Sequence, residues 1–150
     1  MIRVLIVDDH ALIRSGLTAM LDNAWDVMVV GVCADGAEVA EMARLSRPDV
    51  VVMDFQMRRT GGPPATRDLL ANGVAVRVLM MSASVSQRRV ADAAAAGAVG
   101  YVVKGSLPDG MIDAIRTVAA GGTAWPDHLG LAESECRSTG RARRWRNDPG

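Results

Sequence analysis

The amino-acid sequence predicts an α/β fold in which helices cover both faces of a parallel β-sheet. Five short apolar runs, rich in β-branched residues, alternate with five longer segments of helical periodicity, and each pair takes about 20–25 residues. Most runs are apolar at nearly every position, as expected for strands that are buried on both faces. A chain of 150 residues suits one domain with its own core. We therefore predict a single-domain, doubly wound, five-stranded parallel sheet.

The first two strand–helix units lie in residues 2–45. Strands are expected at 2–7 and 27–32, where aliphatic and β-branched residues dominate. A helix is expected at 11–21, with one apolar stripe formed by Leu12, Ile13, Leu17, Met20 and Leu21. The second helix is expected at 36–45 and directs three residues inward: Val39, Met42 and Ala43. Because strand two is as apolar as the others, the sequence does not identify the edge strand.

The remaining three units continue the alternation. The expected strands are 49–53, 76–81 and 99–103, and the expected helices are 65–71, 86–96 and 108–120. A loop rich in Arg and Gly, 56–64, precedes the third helix, and glycines stop each of these helices. After residue 125 the periodicity ends and apolar residues become sparse. We therefore expect one folded domain at 1–125 and a disordered, Arg-rich tail at 126–150.

Composition and charge argue against several classes of protein. Acidic and basic side chains balance at 17 each, so net charge does not indicate a nucleic-acid or membrane partner. Cys33 and Cys136 match no metal-ligand spacing and are expected to be reduced thiols. The N-terminus lacks the form of a signal peptide, and no apolar run reaches membrane-spanning length. We therefore predict a cytoplasmic protein.

Polar side chains follow four of the predicted strands at the point where each strand ends. They are Asp8, Asp9, Asp54, Ser82 and Lys104. Ligands of open parallel sheets bind outside the carboxyl ends of the strands, so we expect three carboxylates, a hydroxyl and an ammonium to converge there. This set suits a divalent metal ion beside a phosphoryl group that is being transferred.

Each of these side chains also has a structural interpretation. Asp8 and Asp9 could cap the first helix, but a shared Mg²⁺ would relieve the repulsion between adjacent acids. Asp54 could be a metal ligand, a general base or a nucleophile that forms an acyl phosphate. Ser82 is a turn residue or a donor to a phosphoryl oxygen. Lys104 is the only lysine in the sequence and would neutralise phosphoryl charge as a compact cation.

For two further residues near these positions, the sequence favours a structural role. His10 follows the acid pair and is interpreted as a surface or capping residue rather than a ligand. Tyr101 lies three residues before Lys104, and a single aromatic on a strand usually belongs to the core. No glycine-rich loop of the kinds that cradle nucleotides occurs in the sequence.

Five motifs spread over residues 2–125 make a specific combination. They are Val4-Leu5-Ile6-Val7-Asp8-Asp9-His10, Arg14-Ser15-Gly16-Leu17, Pro48 through Asp54, Gly97 through Gly105, and Ala114-Ile115-Arg116 with Ala120-Gly121-Gly122. In this combination the sequence closely resembles the receiver domain of two-component response regulators, and is most similar to the NarL/FixJ (LuxR-type) subfamily. The resemblance implies a flavodoxin-like sheet of strand order 2-1-3-4-5.

The resemblance also implies a role for each site residue. Asp54 would accept a phosphoryl group from a sensor histidine kinase and would bind Mg²⁺ together with Asp8, Asp9 and the backbone carbonyl of Gln56. Ser82 and Lys104 would contact the phosphoryl oxygens. Tyr101 would be the switch aromatic, turning inward when Ser82 moves toward the phosphoryl group. The outcome would be control of an output partner or of homodimerisation in transcription regulation, the dimer forming through helical faces that include 108–120. Such a domain is not an enzyme, although it assists its own phosphorylation and dephosphorylation.

The sequence departs from the family pattern at two places. Met57 is followed by Arg58-Arg59-Thr60-Gly61-Gly62, where the family usually has Pro and then often Gly. A NarL-type regulator normally continues into a helix-turn-helix DNA-binding domain, whereas the segment after Trp125 lacks the helical pattern for one. We therefore expect no DNA-binding domain in this chain and interpret 126–150 as a linker remnant.

Three other functions remain as alternatives. The chain could be a receiver-like interaction module that is not phosphorylated, an idea supported by the loop at 58–62. An aspartate-nucleophile phosphatase would commonly carry a second acid two residues after Asp54, where this chain has Gln56. A nucleic-acid binder would use the Arg-rich tail, with Trp145 stacking on bases.

Overall fold

A computed structural model describes residues 1–105 and 108–126 of the chain. These residues form a five-stranded parallel sheet of order β2-β1-β3-β4-β5. The strands are β1 (Ile2–Val7), β2 (Val27–Cys33), β3 (Val50–Asp54), β4 (Arg77–Ser82) and β5 (Gly100–Val103). The predicted fold class, the strand order and the flavodoxin-like architecture are confirmed.

In the described part of the chain, five α-helices lie on both faces of the sheet, four of them between consecutive strands and the fifth after β5. They are α1 (Ala11–Asp22), α2 (Val39–Ser46), α3 (Gly62–Ala71), α4 (Gln87–Ala96) and α5 (Pro108–Ala119). The segment predicted as the start of the second helix is a short 3-10 helix, Gly36–Glu38, capped by Asp35. Helix α3 begins three residues earlier than predicted, because Pro63 and Pro64 occupy its first turn, where no backbone N–H donor is needed.

The core has two parts, one on each face of the sheet. Alternate residues of β3 point to opposite faces, so that Met53 joins the cluster beneath α2, α3 and α4, whereas Val52 joins the cluster beneath α1 and α5. Every residue of β3 is buried. Strand β2 lies at the edge, where Met28 and Val32 are 43% and 45% exposed. The other edge strand is β5, so the structure identifies both edge strands, which the apolar pattern left open.

One predicted core residue lies on the surface. Leu12 was expected in the apolar stripe of the first helix, but it is 84% exposed, whereas Leu21 is fully buried. The two residues are two and a half turns apart at about 3.6 residues per turn, so they lie on opposite sides of α1. The inclusion of Leu12 in the stripe was wrong for this reason.

The chain returns to the sheet after α5. Ala124 bridges to Gly100 in parallel orientation, and its backbone carbonyl accepts a hydrogen bond from the N–H of Tyr101 at 2.8 Å. The neighbouring Trp125 is buried in the core. The tail predicted to be disordered lies, from residue 127 onward, outside the described residues. In the described part of the chain, no helix combines the length and apolar character required to cross a membrane.

Candidate functional site

The carboxyl edge of the sheet brings together the predicted site residues. Asp8 follows β1, Asp54 and Ser82 are the last residues of β3 and β4, and Lys104 follows β5. The Nζ atom of Lys104 lies 2.7 Å from Asp8 Oδ2 and 3.0 Å from Asp54 Oδ2. The backbone N–H of Lys104 also donates to the carbonyl of Ser82 at 2.7 Å, which ties β5 to β4 at this edge. The ammonium thus lies between two buried carboxylates.

The acidic side chains of the site offer ligands for a cation. One atom each from Asp8, Asp9, His10 and Asp54 lies within 4.8 Å of the others. Among the described residues, Asp8 Oδ2, Asp9 Oδ1 and Asp54 Oδ2 are buried and accept no hydrogen bond of good geometry. Lys104 and His10 approach these oxygens at ion-pair distance only. Buried carboxylate oxygens need a positive charge or hydrogen-bond donors to offset the loss of water. Mg²⁺ prefers oxygen ligands, so these residues fit a magnesium ion.

The electrostatics of the site favour an added positive charge. Burial raises the pKa of the Asp54 carboxyl, and the charge of Asp8 adds to this effect, although Lys104 opposes it. Burial lowers the pKa of Lys104, but the carboxylates of Asp8 and Asp54 outweigh it, so that the pKa is raised. Lys104 is therefore charged at neutral pH, but one ammonium does not fully compensate its two neighbours. A divalent cation would favour the ionised form of Asp54.

Two residues near Asp9 take part in the site in ways that sequence reasoning missed. His10 is 64% exposed, and its Nδ1 atom lies 3.0 Å from both Asp8 Oδ1 and Asp9 Oδ1. His10 stands at the N-cap position of α1, but its side chain makes no capping hydrogen bond. The backbone N–H of Arg58 donates to Asp9 Oδ2 at 2.9 Å. Burial acts to raise the pKa of Asp9, but this bond and the charges of His10 and Arg58 lower it overall.

Ser82 has a cationic partner that the sequence did not indicate. Its Oγ atom accepts a hydrogen bond from Arg89 Nη1 at 2.7 Å. The Nη2 atom of the same guanidinium donates to Gln56 Oε1 at 3.3 Å. The Arg89 guanidinium also lies over the ring of Phe55, 5.2 Å from its centroid. Because Arg89 is one of several polar positions on its helix, spacing alone gave no signal for these contacts.

Tyr101 already points inward in this structure. Its ring is buried, its hydroxyl donates to the backbone carbonyl of Ser84 at 2.7 Å, and its centroid lies 6.2 Å from that of Phe55. An inward turn on phosphorylation is therefore not available from this position, and the role of Tyr101 as a switch stays a prediction. Gln56 is exposed, its N–H donates to Asp54 Oδ1 at 3.4 Å, and its carbonyl as a metal ligand also stays a prediction.

A doubly wound sheet of this strand order, with paired carboxylates and a lysine at its carboxyl edge, defines a class of signalling domain. Residues 4–116 match the family described as the response regulator receiver domain, and the chain belongs to this family. Receiver domains of two-component systems are signalling domains rather than classical enzymes.

Curated relatives and solved structures agree with this assignment. The chain is 40% identical over 121 residues to the response regulator GacA of Pseudomonas aeruginosa and 36% identical to the response regulator UvrY of Escherichia coli. Each match covers 81% of this chain and 56% of the relative, so the chain spans about half the length of these relatives. A LuxR-family two-component response regulator from Aurantimonas superimposes with a TM-score of 0.81 at 32% identity, covering 91% of this chain and 97% of the other. The response regulator domain of Thermotoga maritima CheB superimposes with a TM-score of 0.74 at 30% identity, covering 80% and 97%.

Proposed function

We propose that this domain is a phosphorylation-dependent signalling switch that accepts a phosphoryl group on Asp54 from a sensor histidine kinase. The observation that carries the proposal is the placement of Asp54 at the carboxyl edge of the sheet, where Lys104 contacts it at 3.0 Å and the buried carboxylate oxygens of Asp8, Asp9 and Asp54 have only ion-pair partners. Asp8, Asp9, Asp54 and the carbonyl of Gln56 would hold Mg²⁺. The ion would supply charge neutralisation for the carboxylates and the incoming phosphoryl oxygens.

The reaction follows from the contacts of Asp54. A carboxylate oxygen attacks phosphorus, and the phosphorus–nitrogen bond of the donor phosphohistidine breaks. The electron pair stays on the imidazole nitrogen, which takes a proton from solvent. Lys104 is positioned to exchange its contact with Asp54 for one with a phosphoryl oxygen, since it already lies between Asp8 and Asp54. Ser82 would contact another phosphoryl oxygen, and such positioning and charge neutralisation supply most of the catalysis in phosphoryl transfer.

The conformational response would pass through the loop after β4. Ser82 ends that strand, and two residues later the carbonyl of Ser84 accepts the hydrogen bond of Tyr101. Movement of Ser82 toward a phosphoryl group would displace Ser84 and change its bond to the buried ring. The switch would then be a population shift between two packings of this loop. We propose residues 1–125 as the switching unit. This unit would control an output partner, or a homodimer formed through helices that include α5. Its role would be in transcription regulation in the cytoplasm.

One specific observation supports a second function, a receiver-like interaction module that is not phosphorylated. The unusual loop at 58–62 places the N–H of Arg58 on Asp9 Oδ2, so one oxygen of a proposed magnesium ligand is already occupied. If this bond weakened magnesium binding enough, the domain would bind partners without accepting a phosphoryl group.

Intact-mass measurement after incubation with Mg²⁺ and acetyl phosphate separates the two functions. The wild type should gain one phosphoryl group, and Asp54→Asn should gain none. Asp92→Asn, which removes an exposed acid from α4, serves as the matched control and should behave as the wild type. Labelling of Asp54→Asn to the same extent as the wild type would refute Asp54 as acceptor. A folded wild type without an adduct would favour the unphosphorylated module.

A further inference from the structure

Arg89 faces the candidate site from α4, on the side of Ser82 and Gln56. Its backbone is fixed in the first turn of the helix, where its N–H donates to the N-cap side chain of Ser86 at 3.1 Å. Its guanidinium bridges Ser82 Oγ and Gln56 Oε1 with two different nitrogens. Contact with the ring of Phe55 supports the guanidinium from one face. The group is therefore held by Phe55 and Gln56, which follow Asp54 in the chain, and by Ser82, which follows the strand partner of Asp54 in β4.

The chemistry of the bond to Ser82 sets the direction of its hydroxyl. A guanidinium has only donors, so the Ser82 oxygen must be the acceptor at 2.7 Å. The hydroxyl hydrogen of Ser82 then remains available for an acceptor of its own. A charged donor on the oxygen also polarises the hydroxyl and strengthens the bond that it donates. A phosphoryl oxygen on Asp54 is the acceptor that the proposed function brings to this place.

We propose that Arg89 is a positioning residue for phosphoryl transfer, acting through the hydroxyl of Ser82. This inference rests on the proposed function and adds to the site a cation that acts on Ser82. Lys104 would neutralise the phosphoryl group directly, whereas Arg89 orients and polarises Ser82, the donor to a different phosphoryl oxygen. Since phosphorylation and hydrolysis both build charge on the same phosphoryl oxygens, Arg89 accelerates both reactions.

Rate constants for phosphorylation by acetyl phosphate and for loss of the phosphoryl group test this role. The variants are Arg89→Ala, Arg89→Lys, Ser82→Ala and the double variant Arg89→Ala/Ser82→Ala. Arg88→Ala is the matched control, because Arg88 is an exposed arginine that precedes Arg89 in the same helix. Thermal unfolding of each variant verifies that it is folded. All measurements use the same Mg²⁺ concentration.

The expected pattern is specific to action through Ser82. Arg89→Ala should slow both reactions by about tenfold, the rate equivalent of one hydrogen bond to a charged group, with Arg88→Ala unchanged. Arg89→Lys should be intermediate, since a point charge cannot bridge Ser82 and Gln56 as the planar group does. In the Ser82→Ala background, removal of Arg89 should have no further effect.

Two results would overturn the inference while leaving the proposed function intact. One is an adduct that forms on Arg89→Ala at the wild-type rate. The other is a loss of rate that is equally large with and without Ser82, because Arg89 would then act by another route. A folded wild type that forms no adduct would overturn the proposed function and this inference together.

Discussion

Gly62 packs directly against the end of β3, the strand that carries Asp54, and leaves no room for a side chain. A Cβ atom there would lie 2.6 Å from the backbone oxygen of Asp54, 2.6 Å from Met80 Sδ and 3.0 Å from the Cα atom of Phe55. Two of these three neighbours are backbone atoms, which cannot rotate away as a side chain can. The N–H of Gly62 also donates to the carbonyl of Phe55 at 2.9 Å, closing the loop after β3. Gly62→Ala must therefore displace the connection that carries Asp54.

The magnitude of this effect follows from the cost of overpacking. Inserting one methyl group into a well-packed site costs about 1–3 kcal/mol, and each kcal/mol lowers the unfolding midpoint of a domain this size by about 2–4 °C. We therefore expect Gly62→Ala to lower the midpoint by roughly 2–12 °C. Because the displaced backbone holds Asp54, we also expect slower phosphorylation by acetyl phosphate. Misplacement of a reacting group by about 1 Å can cost a hundredfold in rate.

Thermal unfolding and phosphorylation rates of the wild type and two glycine variants measure these effects. Gly16→Ala is the control, because a Cβ at Gly16 in α1 meets no atom within 4 Å. It should stabilise the helix by about 0.5–1 kcal/mol and leave phosphorylation unchanged. If Gly62→Ala unfolds at the wild-type temperature and accepts phosphoryl groups at the wild-type rate, the packing argument is wrong.

Two further predictions concern charge. Mg²⁺ at about a hundred times its dissociation constant should stabilise the wild type by about 2.7 kcal/mol against thermal unfolding. The gain should shrink in Asp9→Asn, and an equal gain in both proteins would contradict the assignment of Asp9 as a ligand. Arg116 binds Asp26 through Nε and Nη2 at 2.8 and 2.9 Å and holds the pKa of Asp26 below its ordinary value of 3.8. A lowered acid pKa contributes stability above pH 3.8, and this stability is lost as pH falls through the folded-state pKa. The difference in unfolding free energy between the wild type and Arg116→Met, measured by urea titration, should therefore shrink below pH 3.8. A difference that keeps its neutral-pH size at still lower pH would contradict this account of the pair.

The sequence predicts the sheet well because burial on both faces leaves a strong local pattern. Strand β1 has the predicted bounds, and each of the others differs by one residue at one or both ends. Helix ends and helix faces are less well predicted. Leu12 satisfies the local apolar pattern, but its side of α1 is decided by how the helix packs on the sheet. Helix α3 begins early because Pro63 and Pro64 occupy its first turn. Two consecutive prolines are equally compatible with a loop, so the sequence did not reveal this start.

The candidate site was predictable to the extent that it follows from strand ends. Parallel strands bring their carboxyl ends to one edge of the sheet, so the sequence alone predicts that Asp8, Asp54 and Lys104 lie together. The contacts of Arg89 and His10 depend on which way long or exposed side chains turn. No periodicity encodes that direction. The structure therefore adds Arg89 as the cationic partner of Ser82.

The position of Lys104 makes the site accessible to protein chemistry without any substitution. Since the sequence has a single lysine, an amine-selective reagent finds only this side chain and the N-terminal amine. The ammonium is held between Asp8 and Asp54, and its raised pKa keeps it protonated and unreactive. Transfer of the ammonium to a new anionic partner, or its release from the two acids, would change its acylation relative to the terminal amine. The acylation of Lys104 relative to the terminal amine thus reports which contacts Lys104 makes at the carboxyl edge of the sheet, without any substitution in the chain.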